Sequence, residues 1–356
     1  VAEEITILHL NDTHSHLLPW GPKGPDGVGQ WGGYSRLATA IGMARMTEPN
    51  VLLLHGGDLF VGDFMFQKYI GVPELMILKQ LGCDAMELGN HEFDLYPSTL
   101  KYALAEAGFP AAGFPLLCAN MDFSADPDMS QLVKPYVIKE YGDVEVGIFG
   151  LITDFVNTGS NPSPFTAQAP LDAAQAWIDS LRIGLECDLV ILLSHAGFAT
   201  DQMIASYTSG IDVIVGGHSH TQIDAPLTIN GTVIVQAGEH AKFLGKLRLD
   251  VEDGEIADWY YELVPIDASV PRAPAIDTLL GGLVMGIEAD PRFGPVYTEP
   301  VAEAAIDLDR TFGHGVVMDN PMGNLVSDAF RAVTGSDIAI QPQGFINQSI
   351  WAGPLV

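Results

Sequence analysis

An alternation limits the fold of this chain more than any other feature. Short runs of β-branched and aliphatic residues recur through the first 250 or so positions: ITILHL, VLLLHGGD, VEVGIFGLI, LVILLSHAG, IDVIVGGHSH and TVIVQAGE. Between several of them lie amphipathic stretches such as YSRLATAIGMARM, PELMILKQLG and PLDAAQAWIDSLRIGL. The short runs read as buried strands and the periodic stretches as helices that cover a sheet. Together they predict an α/β fold with a largely buried sheet. Ligands in such folds collect at strand ends. Asp12, Asp58, Asn90, His195 and His218 each follow an apolar run or its adjacent turn.

At 356 residues the chain exceeds the size at which one core stops growing, so two domains are expected. The pattern changes from about Asp253. IADWYYELVPID closes the first unit, PAIDTLLGGLVMGIEAD predicts one helix, and FGPVYTEPVAEA carries the Pro and Gly of a connection. The boundary is placed near 290, giving domains 1–290 and 291–356. In the second, NLVSDAFRAVTG predicts a helix and SDIAIQPQGFI a strand with a turn. The end at Gly353-Pro354-Leu355-Val356 reads as truncated, and the start, with Val1 leading straight into ITILHL, as processed or trimmed. No uninterrupted apolar run reaches the length of a membrane span.

Charge narrows the partners. With 45 acidic against 16 basic residues the net charge is −29, which repels a phosphate backbone and argues against a nucleic-acid polymer. Part of this acidity could hold cations, and the rest suits solvated surface in a salty or exported setting. Cys83, Cys118 and Cys187 show no CxxC spacing and read as buried free thiols.

Five segments carry the chemistry: Asp12-Thr13-His14, Gly57-Asp58, Gly89-Asn90-His91-Glu92, Ser194-His195 and Gly217-His218-Ser219-His220. They offer only oxygen and nitrogen ligands, a set suited to Zn, Mn, Fe or Co. Any one alone is weak, since a DxH triplet is common and Asn90 could be a turn residue. Five in order, all at strand ends, are hard to assemble by chance. Of the remaining histidines, His9 and His55 fall inside apolar strands and read as core. His240 and His314 lie outside the motifs, and His16 sits either in the core or on the cleft wall.

The stretches LHLNDTHSH, GGDLFVGD, LGCDAMELGNHEFD, LLSHAG and VIVGGHSH resemble the signature of the calcineurin-like metallophosphoesterases, more narrowly the 5′-nucleotidase / UDP-sugar hydrolase branch. The resemblance continues through GTVIVQAGEHAKFLGKLRLDV and NPMGNLVSDAFRAVTGSDIAIQPQGFIN. It implies a four-layer α/β/β/α sandwich followed by the start of a smaller α/β C-terminal domain. It also implies two divalent metal ions, one held by Asp12, His14, Asp58 and His220, the other by Asp58, Asn90, His195 and His218, with Asp58 bridging. His91 then lies beside the metals rather than on them. Hydrogen-bonded to Asp94, it stabilises phosphoryl charge or protonates the leaving oxygen, and with Asn90 it faces the substrate. The implied reaction is in-line attack of metal-activated water on a phosphate monoester, a 5′-nucleotide in this branch, in a periplasmic or secreted protein whose signal has been removed.

One departure stands out. The family's C-terminal strand ends in a Gly-Gly-Ile-Arg type segment, whereas Gly344-Phe345-Ile346-Asn347 stands here. Phe345 and Asn347 are thus the only candidates for a nucleoside contact, with Asn in place of the phosphate-binding Arg. Other readings stay open on the same metal cradle: a UDP-sugar or cyclic-nucleotide phosphodiesterase, or a thiosulfohydrolase-like enzyme. A non-catalytic metal-binding or adhesion module is the reading of a different class, and every motif position it would be expected to lose is intact. The residues set neither the metal, the physiological substrate nor the oligomeric state.

Overall fold

A computed structural model describes residues 2–111, 113–310, 319–342, 346 and 348–355. They form two compact units, Val1–Leu18 with Gly32–Leu280, and Pro19–Trp31 with Gly281–Val356.

The first unit holds two sheets. One has seven strands in the spatial order Glu255–Pro265, Phe243–Glu252, Ala2–Leu10, Val51–His55, Ala85–Glu87, Leu116–Leu117, Val133–Lys134. The other has six, ordered Leu227–Ile229, Thr232–Val235, Val213–Val215, Leu189–His195, Val144–Ile152, Tyr136–Tyr141. The five site-bearing strands are β1 (Ala2–Leu10), β2 (Val51–His55), β3 (Ala85–Glu87), β4 (Leu189–His195) and β5 (Val213–Val215). β1 runs parallel to β2 and β2 to β3, and in the second sheet β4 runs parallel to β5.

The central strands are buried on both faces, and the side-chain period of two sends alternate residues to each. Ile5 and Ile7 of β1, Leu52 and Leu54 of β2, Ile191 and Leu193 of β4 and Val213 and Val215 of β5 pack into one core between the sheets. Alternate residues of the second sheet, among them Val190, Leu192 and Ile214, meet Ala174 and Ile178 of helix Pro170–Asp179 and Ile204 of helix Phe198–Tyr207. On the outer side of the first sheet, Leu8 lines a cavity of about 390 Å³ with Ala40, Met43 and Ala44 of helix Tyr34–Thr47. Helix, sheet, sheet and helix form the four layers expected. Cys83, Cys118 and Cys187 are buried and free.

The second unit contains the hairpin of Trp20–Lys23 with Gly29–Trp31, the antiparallel pair Ala302–Ala304 with Gly353–Leu355, and helix Pro321–Thr334. Asn320 starts that helix by accepting from Gly323 N at 2.9 Å, and Gly335 ends it in the left-handed region. The strand expected within SDIAIQPQGFI does not form among the described residues of that stretch, where 336–342 lie outside any strand. Ile338 and Ile340, which a half-buried strand would hide, are 76% and 88% exposed, and a proline at 342 removes a ladder donor.

Candidate metal centre

Each proposed ligand sits just beyond or at the carboxyl end of its strand, and backbone hydrogen bonds lock these ends together. Asp12 N donates to Gly57 O at 2.9 Å and His14 N to Asp58 O at 3.1 Å, fastening the loop after β1 to that after β2. His218 N donates to both Asp12 carboxylate oxygens, at 3.1 and 2.9 Å, which ties the end of β5 to the first sheet. Asp12, His14, Asp58, His218 and His220 all adopt φ between 46° and 69°. For residues other than glycine this region costs about 1–3 kcal/mol each and is held only where the surroundings over-determine it. Glycine is required where two loops touch: a Cβ on Gly89 would lie 2.1 Å from Asp58 Oδ1.

Glu92 builds much of this rigidity. Its buried carboxylate accepts from the amides of Asp58 (3.0 Å), Leu59 (2.9 Å), Phe60 (3.0 Å) and Gly89 (2.6 Å). Burial, then the charge of Asp58, pushes its pKa up to about 7. The sequence pattern suggests a place near a helix start, and Glu92 does lie on the short 3₁₀ turn Asn90–Phe93. Its grip on the Asp58 loop depends on contacts over 30 residues back, which no local pattern reports.

Two clusters of ligand atoms result, Asp12, His14, Asp58 and His220 in one, Asp58, His195 and His218 in the other, with Asp58 in both. In the first, His220 Nε2 is 3.3 Å from Asp12 Oδ1 and 3.2 Å from His14 Nε2. In the second, His195 Nε2 is 3.1 Å from Asp58 Oδ2. Asn90 is only 3% exposed, and its Oδ1 has no protein hydrogen-bond partner, a cost that a cation beside it would remove. Burial by itself would raise the Asp58 carboxyl, but the charge and hydrogen bond of His195 and the charges of His91 and His14 hold it well below the usual range. Asp12 is likewise lowered against its burial, through His220 and His195. Both are therefore anionic, as ligands must be. Burial would lower His195, yet Asp58 and Asp12 raise it to about 9; burial and the charge of His195 push His218 down to about 4. The donor set thus fits a pair of divalent ions.

His91 joins neither cluster. Its backbone N–H donates to Asp58 Oδ1 at 2.9 Å, its ring lies edge-on to that of His14 at 5.1 Å between centroids, and Nδ1 is 2.6 Å from Asp94 Oδ2. Ser160 Oγ donates to the other Asp94 oxygen at 2.9 Å, so the carboxylate that orients the ring is itself oriented. Burial acts to lower the His91 pKa, but the Asp94 hydrogen bond and the charges of Asp58, Asp94 and Glu92 outweigh it and hold the pKa at about 9. The imidazole is a proton donor near neutral pH, half-open to solvent.

The other histidines separate by role. His55 accepts from Gly57 N at 3.2 Å through Nδ1 and is 3.0 Å from Thr13 Oγ1 through Nε2, so it braces the loop carrying Asp12 and His14. His9 is buried and stacks on Tyr261 at 5.9 Å. His16 and His240 stack on each other at 3.7 Å, with the His240 ring 5.8 Å from that of His14. Phe345 and Asn347 lie outside the described residues, as does His314.

Comparison with known proteins agrees with this geometry. The calcineurin-like phosphoesterase family, whose members use two divalent metals, matches residues 5–222. The chain is 31% identical over 351 residues to the 5′-nucleotidase of Bos taurus, covering 92% of this chain and 59% of that protein. It is 28% identical over 389 residues to the trifunctional nucleotide phosphoesterase protein YfkN of Bacillus subtilis (strain 168), covering 99% of this chain and 25% of that one. It therefore spans less than two thirds of the length of these curated relatives. Among solved structures, the 5′-nucleotidase precursor from Thermus thermophilus superposes with a TM-score of 0.86 at 29% identity, over 99% of this chain and 72% of that chain. With more than half of its length matched by the family and both ligand clusters assembled at the strand ends, the chain belongs to the calcineurin-like phosphoesterases.

Proposed function

We propose that this chain is a dinuclear-metal phosphohydrolase that cleaves phosphate monoesters, 5′-nucleotides among them. The observation that carries this reading is Asp58, buried, anionic and common to both ligand clusters. One cation would be held by Asp12, His14, Asp58 and His220, the other by Asp58, Asn90, His195 and His218. When bound, such a pair supplies Lewis acidity toward phosphoryl oxygens and lowers the pKa of water. Asp58, common to both clusters, would serve both cations, and Glu92 holds the Asp58 loop in place. His91 would present Nε2 to an incoming phosphoryl group, and the Asp94 carboxylate, accepting from Nδ1, favours the imidazolium form, which carries a proton on both ring nitrogens. The ring then stabilises phosphoryl charge or delivers its proton to the departing oxygen. A chain of net charge −29 would otherwise repel such a substrate.

Residues 1–290 would carry this chemistry, and 291–356 would belong to a C-terminal domain that contacts the nucleoside through Phe345 and Asn347. Export to a periplasmic or extracellular space accords with the acidic surface and with the precursor named in the Thermus relative. Among the described residues no helix is long and apolar enough to cross a membrane.

The test is Asp58→Asn, read in two channels. Loss of activity together with loss of metal at both sites supports the reading; retention of two metal equivalents removes the bridging role. Substrate class follows from steady-state kinetics on AMP and p-nitrophenyl phosphate. With Asn347 in place of an arginine the two kcat/KM values should agree within about tenfold, or about 1.4 kcal/mol in transition-state binding.

A further inference from the structure

Three ligand histidines are steered from behind, and one differs from the other two. His14 Nδ1 lies 3.2 and 3.1 Å from the backbone carbonyls of Phe60 and Val61, and His195 Nδ1 lies 2.6 Å from Gly56 O. His220 Nδ1 instead meets a carboxylate, Glu239 Oε2, at 2.5 Å. Glu239 belongs to none of the motif segments, and its position is built rather than incidental. His240 N donates to Asp12 O at 2.8 Å, and Asn11 Nδ2 donates to Gly238 O at 2.7 Å, so the residues on both sides of Glu239 are fastened to the loop after β1. Lys242 N closes the turn onto Glu239 O at 3.1 Å, with His240 and Ala241 both at positive φ.

We propose that Glu239 is a positioning residue that sets the affinity of one of the two cations, that of Asp12, His14, Asp58 and His220, and leaves the other alone. This rests on the reading of the two clusters as cation sites. The physical reason is twofold. By accepting the Nδ1 hydrogen, Glu239 holds that hydrogen on Nδ1, so the neutral ring offers the lone pair of Nε2, the atom that faces Asp12 and His14, to a cation. As a full anion it also makes that nitrogen a stronger donor than a backbone carbonyl would. The two sites are therefore unequal. One has two aspartates in contact and a third carboxylate behind its histidine, while the other shares one aspartate and takes a neutral amide from Asn90.

The experiment is a metal titration of the apo protein with Zn²⁺ or Mn²⁺, by calorimetry and by competition with a chromophoric chelator. Wild type, Glu239→Gln and Glu239→Ala are compared, with elemental analysis after dialysis. Wild type should bind two equivalents. Glu239→Ala should weaken one dissociation constant by about 10–100-fold, leave the other within about twofold, and retain one equivalent on dialysis. Glu239→Gln should fall between, because its amide oxygen still accepts the Nδ1 hydrogen but carries no charge. His195→Ala, which strips the other cluster, should lose the complementary ion, and the double variant both. Glu239 variants that bind both ions with wild-type constants overturn the proposal, and so does an equal loss of both ions at an unchanged melting temperature of the apo protein. A Glu239→Ala that does not fold leaves the decision to Glu239→Gln, read by the same criteria. A wild type that binds no divalent ion would defeat the cation-site reading itself, an outcome distinct from either.

Discussion

At the scale of single residues the centre divides labour between atoms that would touch a cation and atoms that would touch the substrate. His91 is the sharpest test of that division, because its backbone N–H holds Asp58 while its ring is committed to Asp94. His91→Ala should lower kcat by about 10²–10⁴-fold, the usual worth of a positioned acid, with two metal equivalents retained. Loss of metal along with activity would make His91 a ligand. Asp94→Asn should fall between His91→Ala and wild type, and a normal rate across pH in that variant would remove the pair. The sequence revealed these residues because ligand chemistry confines itself to few side-chain types at strand ends. It concealed Glu239, whose carboxylate reaches His220, 19 positions away, through a contact that only the fold creates. Glu92 was legible for its place in the turn and not for the four amides it collects.

At the scale of elements, the loops after β2 and β3 act as one body. Glu92 is the rivet: removing its carboxylate strands the amides of Asp58, Leu59, Phe60 and Gly89 inside the protein, at about 1–3 kcal/mol for each group left unpaired. Glu92→Ala should therefore cost about 3 kcal/mol or more in chemical denaturation and lower metal content as the Asp58 loop relaxes. A variant of wild-type stability would mean that water satisfies those amides. Gly89→Ala should strike both the carboxylate and the backbone of Asp58, since its methyl carbon would lie 2.1 Å from Asp58 Oδ1 and 2.3 Å from Asp58 N; loss of metal together with a loss of stability in chemical denaturation is expected. Strands and helices of the first unit were legible because their apolar periods are undiluted, β4 being buried at all of its seven positions. Where the pattern misled, as at Ile338 and Ile340, alternation was present but no neighbouring strand among the described residues turned it into a ladder. The grouping of the hairpin Trp20–Trp31 with residues beyond Gly281 is likewise a matter of tertiary contact, here including the Trp31 and Trp351 rings at 5.1 Å.

At the scale of the whole molecule, acid should unfold the protein earlier than its core size suggests. His9 is wholly buried between the sheets, and burial lowers its pKa from 6.5 to about 3. As pH falls below 6.5 the unfolded chain takes up a proton that the folded chain refuses, so stability drops until the folded pKa is reached. Between pH 7 and 5 this one residue should account for about 2 kcal/mol. Urea unfolding of wild type and His9→Gln at both pH values checks it: the variant should lose less stability on acidification, and parallel losses would contradict the assignment. The sheet order has a further consequence, for synthesis. β1 is made before the other strands of its sheet, yet its antiparallel neighbour Phe243–Glu252 comes some 230 residues later and its ligand partners His218 and His220 only slightly earlier. A nascent chain must therefore carry an apolar, half-paired strand until residues 243–252 emerge, and a fragment that stops near residue 240 leaves β1 as an open edge. Such a fragment should stick to other chains and to chaperones, whereas one that reaches residue 265 covers that edge with Phe243–Glu252 and Glu255–Pro265.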